Sequence, residues 1–192
     1  MISEKEKYIK VWGHKEYSSN SPGAREAVHA IQTLGIPDHA DINLYGCGSG
    51  KEMAELNKFL KEPEFNAIDI APNCMLDEIK SDKNITFTFY EADLCDMIEV
   101  PEMSYGFCVD VMEHIDPNLV EVTLQRIAEK TRLSCYFSIA LFEDTWYTEK
   151  LHLTVKSPTW WNEQISKHFN ITYMSNDSNH VRIVGEKYGK SK

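Results

Sequence analysis

The sequence predicts an α/β domain built on a doubly wound, mostly parallel sheet with one antiparallel strand near its edge. Three observations carry this. Short strand-like runs alternate with helical runs five times along the chain, the pattern of parallel strands joined by crossover helices. One of those units is a strand, a glycine loop and a helix start, Asp41-Ile-Asn-Leu-Tyr-Gly-Cys-Gly-Ser-Gly50. The chain closes on two β-rich runs separated by Ser175-Asn-Asp-Ser-Asn179, which reads as a hairpin and supplies the antiparallel strand.

The elements follow in order. Residues 1–20 form a polar arm carrying Tyr8, Trp12 and Tyr17, expected to fold over a pocket or to pack on the side of the domain. Ser21 and Pro22 mark a helix start and Gly35 its stop. Between them Ala24, Ala27, Val28, Ile31 and Leu34 repeat at helical spacing and are expected inward. Ile42 to Tyr45 is too short and too β-rich for a helix. The helix after the glycine loop puts Met53, Leu56 and Leu60 on one face. Phe65 to Ile70 is a second strand, closed by Ala71-Pro72 and followed by a helix through Met75, Leu76 and Ile79. Ile85 to Phe89 alternates with period two, and Tyr105 to Val109 is a fourth strand. Pro117 to Lys130 is an amphipathic helix with Leu119, Val120, Leu124 and Ile127 inward. Leu133 to Leu141 is a fifth strand, and residues 142–153 are a polar-aromatic insertion. Ser157-Pro158 opens a helix with Trp160, Trp161 and Ile165. Ile171 to Met174 and Val181 to Val184 are the closing hairpin.

Composition bounds the function. At 192 residues the chain makes one domain able to bury its own core. With 42% hydrophobic and 26% charged residues it is expected to be soluble and globular. No apolar run reaches the length of a membrane span and Met1 to Lys7 has no secretory core, so no membrane partner and a cytoplasmic location are expected. The cysteines at 47, 74, 95, 108 and 135 are odd in number and never spaced C-x-x-C, which predicts reduced thiols. A net charge of −10 argues against long nucleic acids. The one basic run, residues 186–192, reads as a solvated tail.

The glycine loop is the most informative stretch. Gly46, Gly48 and Gly50 let the backbone turn sharply and let a ligand approach without meeting a Cβ. A phosphate-cradling loop fails on spacing: Tyr45 stands where its first glycine would be, and Glu52 where Ser or Thr should follow Lys51. The dinucleotide fingerprint G-x-G-x-x-G has its third glycine one residue later than Gly50. Gly46-Cys-Gly-Ser-Gly50 after a strand resembles motif I of the class I S-adenosylmethionine-dependent methyltransferases. One departure is Leu44, where that family has an acidic residue. The resemblance covers residues 20 to 185 and implies a Rossmann-like, seven-stranded sheet whose last strand is antiparallel. It implies S-adenosyl-L-methionine as cofactor and S-adenosyl-L-homocysteine as product.

In such sheets ligands sit beyond the C-terminal strand ends. Asp69 ends the second strand, where a carboxylate can accept two ribose hydroxyls; a turn residue capping the next helix is the plainer reading. Asp93 follows the third strand. By the resemblance it receives the adenine amino group and Leu94 packs beside the ring; otherwise Asp93 is a loop aspartate. Tyr45, Gly46, Cys47, Gly48, Gly50, Asp69, Ile70, Asp93, Leu94 and Asp110 are thus the expected cofactor contacts.

The fourth strand ends in Cys108-Val-Asp-Val-Met-Glu-His-Ile-Asp-Pro117. It lacks the [DNS]-P-P-[YFW] of enzymes that methylate amino groups of DNA bases. Val111-Met-Glu-His-Ile115 resembles the "LEH" signature of small-molecule O- and C-methyltransferases. Asp110, Glu113 and His114, with His152, also look like the E-x-x-E-H…H metal site of small-RNA 2′-O-methyltransferases, which would suit a divalent metal. Without metal, His114 or His152 is the expected general base and Asp110 a further catalytic candidate. Tyr17, Trp146, Tyr147, Trp160 and Trp161 are candidates to line an acceptor pocket. The favoured reading is methyl transfer to a small molecule at oxygen; the rivals are metal-assisted methylation of an RNA end, an NAD-linked oxidoreductase, and a non-catalytic cofactor-binding module.

Overall fold

A computed structural model of the chain describes residues 3–19, 21–146 and 149–189. Two arm helices come first, α1 (Glu4–Trp12) and α2 (Lys15–Ser19), followed by α3 (Pro22–Leu34). The body then alternates β1 (Asp41–Tyr45), α4 (Lys51–Phe59), β2 (Glu64–Asp69), α5 (Asp77–Lys80), β3 (Thr86–Glu91), β4 (Met103–Val109), α6 (Val120–Lys130) and β5 (Thr131–Ala140). A small hairpin, β6 (Thr145–Trp146) and β7 (Glu149–Lys150), precedes α7 (Pro158–Ile165), β8 (Phe169–Asn176) and β9 (His180–Lys187).

The main sheet has seven strands in the order β3-β2-β1-β4-β5-β9-β8. Neighbours from β3 to β5 pair in parallel, and β9 runs antiparallel between β5 and β8. The expected doubly wound sheet with one antiparallel strand beside its edge is therefore what forms. The parallel dinucleotide fold has order 3-2-1-4-5-6; here the antiparallel β9 takes the sixth place.

Period-two alternation builds the two core layers. Ile42 and Leu44 of β1 face one side with Phe65, Phe107 and Tyr136, while Tyr45 faces the other with Cys108, Phe137 and Trp161. Asn43 shares the Tyr45 face yet is fully buried, so its polar atoms must be paired. They are: its Nδ2 donates to Lys130 O at 2.8 Å and Pro101 O at 3.2 Å, and its Oδ1 accepts from Asn66 Nδ2 at 2.9 Å.

Several local expectations are corrected. In α3 the Ser21 cap and the left-handed Gly35 stop are as expected, but Val28 is exposed and Gly23, Ala27 and Ala30 are buried. The helix lies so close to α4 that small residues form its contact face; a Cβ on Gly23 would sit 2.5 Å from Glu52 Oε2. Leu119 is exposed because the 117–119 segment is a turn and α6 starts at Val120. The helix expected through Met75 starts only at Asp77, leaving Cys74 and Met75 as buried turn residues. Residues 142–153 contain the β6–β7 hairpin.

Gly106 sits in β4 with no room for a side chain. A Cβ there would lie 2.6 Å from Cys135 Sγ and 2.9 Å from both Thr131 Oγ1 and Tyr45 Cε2. Gly106→Ala is expected to destabilise the chain by about 1–3 kcal/mol, read as a lower midpoint in urea unfolding; an unchanged midpoint would contradict this packing.

Candidate active site

The site is built from strand ends. As β1 stops, the Gly46 and Cys47 N–H groups both donate to Ile68 O of β2, each at 2.9 Å. Gly46, Gly48 and Gly50 all take positive φ, at 73°, 47° and 77°, which side chains disfavour. Close approach demands glycine as well: a Cβ on Gly46 would fall 2.4 Å from Val111 Cγ2. Gly50 then caps α4 without any side-chain hydrogen bond, leaving the first turn's N–H groups free of a side-chain cap.

Asp69 ties this loop to the end of β2. Its Oδ2 accepts from Gly48 N at 2.9 Å and its Oδ1 from Ala71 N at 2.9 Å. The carboxyl is 7% exposed, and burial raises its pKa against the lowering effect of those N–H donors. Each oxygen keeps a second lone pair for a ligand. Asp93, after β3, is an exposed loop residue whose Oδ1 accepts from Cys95 N at 3.1 Å and Cys95 Sγ at 3.0 Å.

Both acids border one cleft of about 820 Å³, counting its open mouth. Gly46, Ile70, Leu94 and Asp110 share the wall, and Tyr8, Trp12 and Tyr17 of the arm form the opposite side. The arm therefore covers the strand ends. Trp12 lies on the glycine loop, and a Cβ on Gly48 would sit 2.9 Å from its Cη2 and Cζ2 atoms. Asn73 Nδ2 donates to Ile9 O at 2.8 Å and Tyr8 Oη lies 2.8 Å from His114 Nδ1, so polar contacts hold α1 in place. The lining includes the carboxylates of Glu4, Asp69, Asp93, Asp110 and Asp116, with no lysine or arginine among the described residues that line it.

At the end of β4 the groups diverge in character. Asp110 takes φ 52°, an uncommon conformation that aspartate tolerates better than most residues. Its buried Oδ1 has no hydrogen-bond partner and lies 3.5 Å from His180 Nε2, an ion-pair distance. That carboxylate raises the His180 pKa. Glu113 is fully buried; its Oε1 accepts from Ala140 N at 2.8 Å while Oε2 is unpartnered. Burial, then the nearby Asp110 charge, pushes its pKa well up. His114 is pushed down to about 3 by burial and by His152. His152 donates from Nδ1 to Phe142 O at 2.5 Å, which leaves its lone pair on Nε2.

Not every expected residue reaches the cleft. Tyr45 does not: its ring is buried beneath the sheet and its hydroxyl pairs with Thr131 Oγ1 at 2.9 Å. Leu44, where the resembled family has an acid, is fully buried in apolar core. Cys47, Gly48 and Gly50 shape the loop without lining the open space. Glu113, His114 and His152 do converge, one ligating atom from each lying within 4.8 Å of the others, but Asp110 is not in that group. Trp161 is core and Trp160 packs against it. Tyr147 and the Trp146 side chain lie outside the described residues. Ala92 and Thr123 line the cleft and His180 meets Asp110 without having been singled out from sequence, and Leu119, expected in the core, lines the cleft instead; only the fold brings His180 to Asp110.

No protein-family description and no curated protein matches the chain. Solved structures do. The DhpI–SAH complex superposes with TM-score 0.76 at 12% identity, over 97% of this chain and 96% of that one. The Burkholderia thailandensis 1,6-didemethyltoxoflavin-N1-methyltransferase, with bound 1,6-didemethyltoxoflavin and S-adenosylhomocysteine, gives 0.73 at 14% identity over 95% and 86%. The Synechocystis PCC 6803 magnesium protoporphyrin IX methyltransferase with bound SAH gives 0.62 at 14% identity over 97% and 89%. The chain has the class I methyltransferase fold.

Two outcomes test this geometry. Gly48→Ala combines a disfavoured φ with a clash against Trp12, so it is expected to expose Trp12 and red-shift tryptophan emission; an unshifted spectrum would contradict the contact. His180 is held above its ordinary pKa, so the Asp110 pair stabilises fully below about pH 6.5 and is lost as pH rises through the raised value. The difference in melting temperature between the native chain and His180→Gln should therefore shrink from pH 6 upward. A difference that grows with pH would contradict it.

Proposed function

We propose that the chain is an S-adenosylmethionine-dependent methyltransferase that transfers a methyl group to a small molecule at oxygen. The observation that carries this is Asp69, which is hydrogen-bonded to Gly48 of the loop and lines the cleft at the end of β2. Asp93 at the next strand end and Leu94 beside it extend the same wall, as an adenosine would require. Similar structures holding S-adenosylhomocysteine support the reading. When bound, the cofactor supplies an electrophilic methyl on a sulfonium centre.

The chain's own groups then have defined tasks. Asp69 would accept ribose hydroxyls, and Asp93 the adenine amino group. Asp110, held by His180 at the cleft wall, would position an acceptor hydroxyl with its lone pair toward the methyl. His114 stays neutral and is a weak base at a pKa of about 3, so alignment contributes more than proton abstraction. Tyr8, Trp12 and Tyr17 exclude water from that contact. The acidic lining suits a sulfonium and a neutral or cationic acceptor, and repels phosphate and carboxylate groups.

A second reading rests on Glu113, His114 and His152. Glu113 Oε2 is buried and unpartnered, and His152 presents its Nε2 lone pair, so three of the four residues expected to hold a divalent metal fit one. Such an ion would lower the pKa of a bound acceptor hydroxyl. It predicts activity that falls with chelator and returns with Mn²⁺.

The main reading is tested at Asp69. Replacing a charged acceptor of hydroxyl hydrogen bonds costs about 1.5–3 kcal/mol, so Asp69→Asn should weaken S-adenosylhomocysteine binding about 10- to 100-fold in calorimetry. Equal affinity in both proteins would contradict the assignment.

A further inference from the structure

The glycine loop and the turn after β2 bring together three groups that methyl transfer does not use as a set. Cys47 is fully buried in the loop and Cys74 is 2% exposed in the turn. Both thiols face the Asp69 carboxyl at the end of β2. One ligating atom of Cys47, of Asp69 and of Cys74 lies within 4.8 Å of the other two. These contacts join the loop to the floor of the cleft, because Asp69 also lines it.

We propose that Cys47, Cys74 and Asp69 form a binding site for a thiophilic divalent cation, and that this cation excludes the nucleoside cofactor. Two thiolates and one carboxylate select Zn²⁺ or Cd²⁺ over Mg²⁺ or Ca²⁺, which prefer all-oxygen ligands. Zinc–sulfur bonds of about 2.3 Å in a tetrahedral site put two sulfurs about 3.8 Å apart, so a small inward movement of the loop brings the three groups onto one ion. Gly48 and Gly50 on either side of the loop allow that movement. The ion replaces two thiol protons, which leave to solvent, and no electron is transferred. It also takes the carboxylate that a ribose would use, so the two ligands compete.

The other cysteines provide the contrast. Cys95 borders the cleft with its thiol on Asp93 Oδ1, while Cys108 and Cys135 lie in the opposite core layer. None of the three belongs to the cluster.

The site itself stands on the cluster geometry; its competition with a nucleoside rests on the proposed function. The test is titration of the reduced chain with Cd²⁺, followed by the ultraviolet thiolate-to-cadmium charge-transfer band, with and without S-adenosylhomocysteine. The expected result is one ion per chain, with affinity rising about 100-fold per pH unit as two protons are released. The band should disappear in Cys74→Ser and persist in Cys95→Ser. S-adenosylhomocysteine should weaken Cd²⁺ binding in the native chain. No band, or a band unchanged in both Cys74→Ser and Cys47→Ser, would overturn the site. A cysteine-dependent band in a chain that binds S-adenosylhomocysteine without competition would overturn the exclusion. If the band follows the cysteines but no S-adenosylhomocysteine binds, the metal site stands and the proposed function fails.

Discussion

The structure depends on a buried carboxylate that cannot be left unpaired. Asp69 closes β2 with one oxygen on Gly48 N and the other on Ala71 N. Burying a carboxylate costs several kcal/mol unless hydrogen bonds offset it. Here the donors come from the loop after β1 and from the turn after β2, so satisfying the charge also sets the loop's shape. Gly46, Gly48 and Gly50 all take positive φ along that loop. They leave a surface without Cβ atoms, on which Trp12 now rests.

The arm completes what the sheet begins. A parallel sheet leaves its strand ends open to solvent, and the crevice there needs a cover before it can exclude water. Tyr8, Trp12 and Tyr17 supply one, anchored by Tyr8 on His114 and by Asn73 on Ile9 O. Because Trp12 lies directly on Gly48, the arm and the glycine loop are mechanically linked. The acidic wall then gives the enclosed space a sign, favourable to cations and unfavourable to phosphates.

Much of this was legible in the chain because it is local. Ser21-Pro22 and Gly35 bound α3, Ile42 and Leu44 alternate with Asn43 and Tyr45, and three glycines after a strand announce a sharp turn. Asp69 was legible from its place at a strand end. What failed was set by tertiary packing. Val28 looks like a core residue by periodicity, yet α3 buries Gly23, Ala27 and Ala30 instead, with Gly23 tight against the Glu52 side chain of α4. Tyr45 looks like a cofactor neighbour, yet pleating turns its ring to the far side, where Thr131 takes its hydroxyl. Asp110–His180 and Tyr8–His114 join distant parts of the chain, and no local pattern records such pairs. The split among Asp110, Glu113 and His114 was equally hidden. One short stretch holds an acid at the cleft wall paired with His180, a fully buried acid whose pKa is raised, and a histidine whose pKa burial lowers.

The central claim is that this cleft holds an adenosine joined to a sulfonium or thioether, and calorimetric titration tests it most directly. The native chain should bind S-adenosylhomocysteine and S-adenosylmethionine at one site per chain and show no heat with NADH. Binding of NADH without S-adenosylhomocysteine, or of neither ligand, would contradict the account.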